Sequence, residues 1–180
     1  MIYLFPLALA ILLSIFAGRN LKVSGERAFS SLFAGSFFGL FSWFFSMYFL
    51  GGWMFLIGGA LIDSLIKIAG VNLRKERSYS LFFGLGFGLA IGFLSLFYGT
   101  SDALYGIIFS ASAILFHSST AIVAFNSEVF KPLPRIFFLS IIYNLLLMLS
   151  SWTSIVIALL YSAFLFHRQY RDLSEKYKSI

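Results

Sequence analysis

Four side chains, Asp63, Lys67, His117 and Asn144, lie inside otherwise apolar runs and are of types that move protons, carry charge or orient a polar ligand. A carboxylate so placed can act as general base toward water, and an imidazole beside it can take or pass on the proton. Ionisable groups in lipid are costly, so they face a cavity or a partner and mark a functional site by default. Counted inward at about 1.5 Å per residue from the nearest basic loops, Asp63, His117 and Asn144 come out roughly 10–13 Å deep, on three different helices. Matched depth permits one site. Each residue also has a plainer role. Asp63 and Lys67 have the i, i+4 spacing of an ion pair, with the lysine reaching out to the headgroups. His117, flanked by Ser118, Ser119 and Thr120, suits a hydrogen bond to a neighbouring helix, and Asn144 suits interhelical glue. Asp63 and His117 are the two catalytic candidates. With Asn144 they fall short of the three protein ligands of a usual catalytic zinc site, so neither metal nor cofactor is expected.

The elements that must position these groups are set by composition. The 180 residues are 60% hydrophobic and 11% charged, against about 45–50% and about a quarter in soluble domains. Mean hydropathy is +0.93. The solvent is therefore lipid, and the expected class is an all-α transmembrane bundle in a single domain. There is no cysteine, which excludes disulfides, thiolate metal sites and cysteine nucleophiles. The net charge of +6 points to anionic lipid headgroups and not to nucleic acid.

Seven spans are expected, at about 2–17, 28–50, 53–69, 81–98, 103–125, 136–150 and 152–166. The first run has no Lys or Arg before it and three after it, unlike a cleaved signal, so it reads as a retained helix with its N-terminus outside. In the second, Ser31, Gly35 and Gly39 form a smooth stripe for close helix packing. Gly51-Gly52 makes a turn with Trp53 as an interfacial anchor. The stretch 70–80 reads as a polar loop. The fourth span carries Gly84, Gly88 and Gly92 on one face; its GLGFG neither follows a strand nor opens a helix, which sets it apart from a nucleotide loop. Pro132 and Pro134 end the helices on either side of them. The last two spans are short, and Ser150-Ser151 is the expected turn; one long helix over 136–166 is the alternative. With seven spans, every Lys and Arg except Lys67 falls in the three loops and the C-terminal tail on one side, and Lys67 lies at that side's end of its helix. That side is the cytoplasm, and a multi-pass protein of the cell membrane is expected. The tail, 167–180, continues the last helix as a solvated basic anchor along the headgroups.

The succession LIGGALIDSLIK, a short basic loop, SLFFGLGFGLAIGF, SASAILFHSSTAIVAFNS and a span ending in IIYNLL resembles the YhfC-type and PrsW-type intramembrane proteases, a group related to the CAAX-protease-like enzymes. The resemblance covers roughly residues 55–148. It implies paired glutamates where Ile62-Asp63 stands, a histidine at Phe87, an acid near Ile91 and a second histidine at Tyr143-Asn144; His117 has no clear counterpart. The chemistry that it implies needs a carboxylate for water and at least two imidazoles. The expectation is thus a non-catalytic protein, resembling a degenerate protease, that binds a transmembrane helix or lipid or serves as a subunit of a membrane complex with other membrane proteins. The alternatives are a small-solute transporter or its substrate-binding membrane subunit, and an active hydrolase using Asp63 and His117.

Overall fold

The computed structural model describes residues 4–49, 54–73, 76–98, 102–125 and 130–178. The Gly51-Gly52 turn and Trp53 lie outside the described residues. Among those described there are helices and no strands: α1 (Phe5–Leu21), α2 (Gly25–Phe49), a π-helical turn (Phe55–Gly59) running into α3 (Ala60–Asn72), α4 (Arg77–Tyr98), α5 (Ala103–Ala124), α6 (Leu133–Met148) and α7 (Trp152–Lys178). The chain is an all-α helical bundle.

Helix ends follow local chemistry. Lys22 closes α1 in the left-handed conformation, φ 52°, its N–H returning to the Gly18 carbonyl. Asp102 caps α5, accepting from the backbone N–H groups of Leu104 and Tyr105. Between α6 and α7 the chain turns at Ser150, φ 46°. Ser151 and Ser154 then bond reciprocally, side chain to backbone N–H, at 3.1 Å each, in the manner of a capping box. A single helix over 136–166 is thereby ruled out.

Several expected boundaries move. The 70–80 loop shrinks, because α3 runs to Asn72 and α4 starts at Arg77; the first turn of a helix tolerates polar residues because its N–H groups have no helical partner in any case. Pro134 does not end a helix but sits in the first turn of α6, where a missing N–H costs nothing. The tail continues the last helix as expected, α7 running to Lys178, but its inner face is packed, not solvated. Leu173 is buried in a cluster with Leu21 and Leu81, Gln169 is buried, and the Tyr170 hydroxyl accepts from the Asn20 amide at 3.0 Å. Leu165, Gln169 and Leu173 recur every fourth residue, so one buried stripe continues beneath the charges.

The core is α4, held between α2 and α5. Glycines on both of its faces make this possible. A Cβ on Gly84 would stand 2.7 Å from the His117 carbonyl oxygen, and one on Gly88 2.7 Å from that of Ala113, so α5 lies almost on the α4 backbone. Gly92 completes that face against Ser110. The opposite face meets α2: a Cβ on Gly39 would lie 2.7 Å from the Phe87 carbonyl oxygen, one on Gly35 would collide with that of Phe83, and Gly86 faces Leu32 and Ser36.

Among the described residues three helices are long and apolar enough to cross a bilayer: residues Gly25–Ser46, Arg77–Leu96 and Ala103–Ala124. Only 22% of the first window is buried, against 72% and 67% of the others, so α2 turns an apolar surface outward. Phe29, Phe33, Phe37 and Phe41 form an exposed stripe along it, a patch that water would not tolerate in a monomer. The protein is a membrane protein.

Candidate functional site

Asp63 lies at the end of the first turn of α3, just after the π-helical turn, and lines a cavity of about 250 Å³ between five helices. Trp43 and Ser46 of α2, Ile91 and Ser95 of α4, His117 of α5, and Tyr143 and Asn144 of α6 complete most of its wall. Three of the four polar residues singled out above, Asp63, His117 and Asn144, therefore meet around one space. The fourth, Lys67, stands just behind it.

The details depart from an Asp63–Lys67 ion pair. Asp63, half-buried, accepts a hydrogen bond from the Ser42 hydroxyl of α2. Among the described residues no ion pair joins Asp63 to Lys67 or to His117. Lys67 is 0% exposed. Its ammonium donates to the Thr120 hydroxyl of α5 at 3.0 Å and lies 5.2 Å from the ring centroids of both Phe87 and Phe116, within the range of a cation–π interaction. The lysine thus points into the bundle and does not reach the headgroups. Helical side chains lean toward the helix N-terminus, which directs Lys67 away from the C-terminal end of α3 and toward its middle.

His117 is 3% exposed. Its ring lies against Phe87, centroids 4.9 Å apart, with Phe116 edge-on at 5.4 Å. Its buried Nδ1 has no hydrogen-bond partner in the protein. The expected hydrogen bond to a neighbouring helix is not formed at that atom; the ring packs among aromatic neighbours instead. Tyr143 stacks on Phe116 at 4.0 Å and shares a hydrogen bond with Ser112 at 2.9 Å. Asn144 donates to the Leu56 carbonyl at 3.4 Å, tying α6 to the π-helical turn, where the ladder of carbonyls is locally irregular.

The α5 hydroxyls that flank His117 are engaged within their own helix: Ser118 donates to the Ile114 carbonyl at 2.6 Å and Ser119 to that of Phe116 at 2.7 Å. Among the described residues no group of three His, Cys, Asp or Glu side chains is close enough to hold a metal ion. What the arrangement can do is offer hydrogen-bonding groups of both kinds to something small: the free lone pairs of Asp63, the imidazole, the Asn144 amide and the hydroxyls of Ser46 and Ser95.

Sequence reasoning missed Ser42, Thr120 as the lysine's partner, Trp43 and the π-helical turn. Ser42 had a signal, being a hydroxyl in the apolar middle of α2; the others depend on how the helices meet. Comparison of the chain with protein-family models, with curated proteins and with solved structures finds no match.

Proposed function

We propose that this chain is a multi-pass, non-catalytic protein of the cell membrane whose internal cavity binds a small polar solute. The observation that carries this is the meeting of Asp63, His117, Tyr143 and Asn144, from three helices, around a single space inside the bundle. Support for the multi-pass topology comes from the ends of the helices. The first turn of α2 meets the residue before α4 through Arg27 and Glu76, 3.7 Å apart. The end of α3 meets that of α5 through Asn72 and the Ala124 carbonyl, and the end of α1 meets α7 through Asn20 and Tyr170. The basic segments thus gather at one end, as seven spans with the N-terminus outside require.

Asp63, Ile91, Tyr143 and Asn144, the positions that the protease resemblance singles out, line the cavity, and Phe87 packs on His117 beside it. The residue types there favour binding over hydrolysis. The space is about 250 Å³, room for roughly eight waters and hence for a small hydrogen-bonding solute, so solute binding, alone or as the subunit of a transporter, is favoured.

The test is thermal unfolding of the purified protein with a panel of small amines, amides and polyols. At a hundredfold excess over its Kd, a true ligand stabilises the wild type by about 2.7 kcal/mol. The same compound should do nothing for Ser95→Leu, which fills the cavity. A panel that moves neither protein, or both equally, would refute the proposal.

A further inference from the structure

α1 and α2 both pack against α4, yet they scarcely touch each other. A trough of about 500 Å³ remains between them, walled by Leu7, Ile11 and Ile15 of α1 and Ala28, Phe29 and Leu32 of α2. From Leu7 to Gly18 it runs about 16 Å along the helix. It is apolar apart from Ser14 until Arg19, at the end where the basic loops gather. There Val23 lines both the trough and a second cavity, of about 560 Å³, whose charged walls are Lys22, Arg27 and Arg77 against a single carboxylate, Glu76. Arg27 stands 3.7 Å from Glu76. Among the described residues no carboxylate pairs with Lys22 or Arg77, and the Arg77 Nε is buried with no hydrogen-bond partner in the protein. An elongated apolar trough that ends in excess positive charge matches an amphiphile with one acyl chain to lay down and a negative head to neutralise.

We infer that this trough and the basic pocket at its end form a binding site for one anionic phospholipid, with an acyl chain between α1 and α2 and the headgroup phosphate held by Lys22, Arg27 and Arg77. Lys22 is set there by the turn itself. It holds the left-handed conformation that closes α1, a position that glycine fills most readily, and it stands beside the pocket mouth. Gly18 and Gly25 both line the trough, and a Cβ on Gly25 would meet no atom within 4 Å.

The experiment is native mass spectrometry of the full chain in micelles holding equal amounts of phosphatidylglycerol and phosphatidylcholine. The wild type should retain phosphatidylglycerol in preference. Lys22→Gln with Arg77→Gln should lower its retention roughly 30-fold, the effect of two surface cations on an anionic lipid. Gly25→Leu, which adds bulk at a residue lining the trough, should lower retention of both lipids. Arg168→Gln with Arg171→Gln, on the tail, should leave both unchanged and so separates a built site from general surface charge. Equal retention of the two lipids by the wild type would overturn the inference. So would a tail variant as damaging as the Lys22 and Arg77 pair, or displacement of phosphatidylglycerol by inorganic phosphate alone, which would make the pocket an anion site without a lipid.

Discussion

Replacing Gly86 by alanine should separate α2 from α4. The added methyl would collide with the Leu32 carbonyl oxygen and stand 2.7 Å from the Leu32 carbonyl carbon and 2.9 Å from the Ser36 nitrogen. Ordinary contact for such atoms is about 3.5–4.0 Å, so the two backbones must part by about 1 Å. Backbone cannot yield as a side-chain tip can. A gap of 0.5–1 Å forfeits about a quarter to a half of each dispersion contact that it opens. The Ser36 hydroxyl, which donates to the Gly86 carbonyl at 3.1 Å, loses its bond as well. Overpacking costs about 1–3 kcal/mol, and the absence of any flexible neighbour puts Gly86→Ala near 3 kcal/mol by that scale. On the soluble-domain scale this is a fall of roughly 6–12 °C in Tm. Two other glycines calibrate it. Gly92→Ala meets Ser110 at 3.1 Å and Gly25→Ala meets nothing, so their costs should be about 1 kcal/mol and within about 0.5 kcal/mol of zero. Thermal unfolding in one detergent, followed by near-UV circular dichroism, reads all three. A Gly86→Ala protein as stable as Gly25→Ala would refute the close approach of α2 to α4.

Lys67→Met, which keeps the stem between Phe87 and Phe116, should unfold within about 1 kcal/mol of wild type, because a buried charge replaced by an apolar group of like volume is often tolerated. Lys67→Ala leaves a cavity and should cost about 2–5 kcal/mol; a methionine variant as destabilised as the alanine one would show that the ammonium itself holds the fold. Asn144→Leu removes the link to the π-helical turn and should cost about 1 kcal/mol in the same unfolding assay. Because the chain has no cysteine, single cysteines report sidedness directly: Lys22→Cys and Arg171→Cys should react with an impermeant thiol reagent only from the cytoplasm and Ser150→Cys only from outside, and labelling of Ser150→Cys and Arg171→Cys from the same side would contradict seven spans.

The helices were legible because charge is confined to a few short segments and everything between them is apolar. Their ends were less so. The residues 77–80 and 70–72 look like loop by polarity, yet they satisfy helix termini at little cost. The helical tail was legible but its packed face was not, because its charges draw attention from the four-residue recurrence of Leu165, Gln169 and Leu173, which is visible in the sequence once sought. The glycine ladder was half read. Gly84 and Gly88 lie on one face, but two residues turn a helix by about 200°, so Gly86 between them must face the other way, toward α2. Counting residues inward placed Asp63, His117 and Asn144 at one depth, and in the structure they line one cavity. The direction of Lys67 was not legible, because it depends on the lean of side chains and on Thr120 and two aromatic rings from other helices. Nor was the π-helical turn, which has no signature beyond Gly58-Gly59.

Native mass spectrometry of the protein drawn gently from its own membrane, with metal analysis on the same sample, bears most directly on the cavity. The expected species is this chain carrying one small polar molecule, without a transition metal, and the molecule should be absent from Ser95→Leu while any phospholipid stays bound. A bound metal ion, or a small molecule that survives in Ser95→Leu, or a stoichiometric partner protein with no small molecule at all, would contradict solute binding at Asp63, His117 and Asn144.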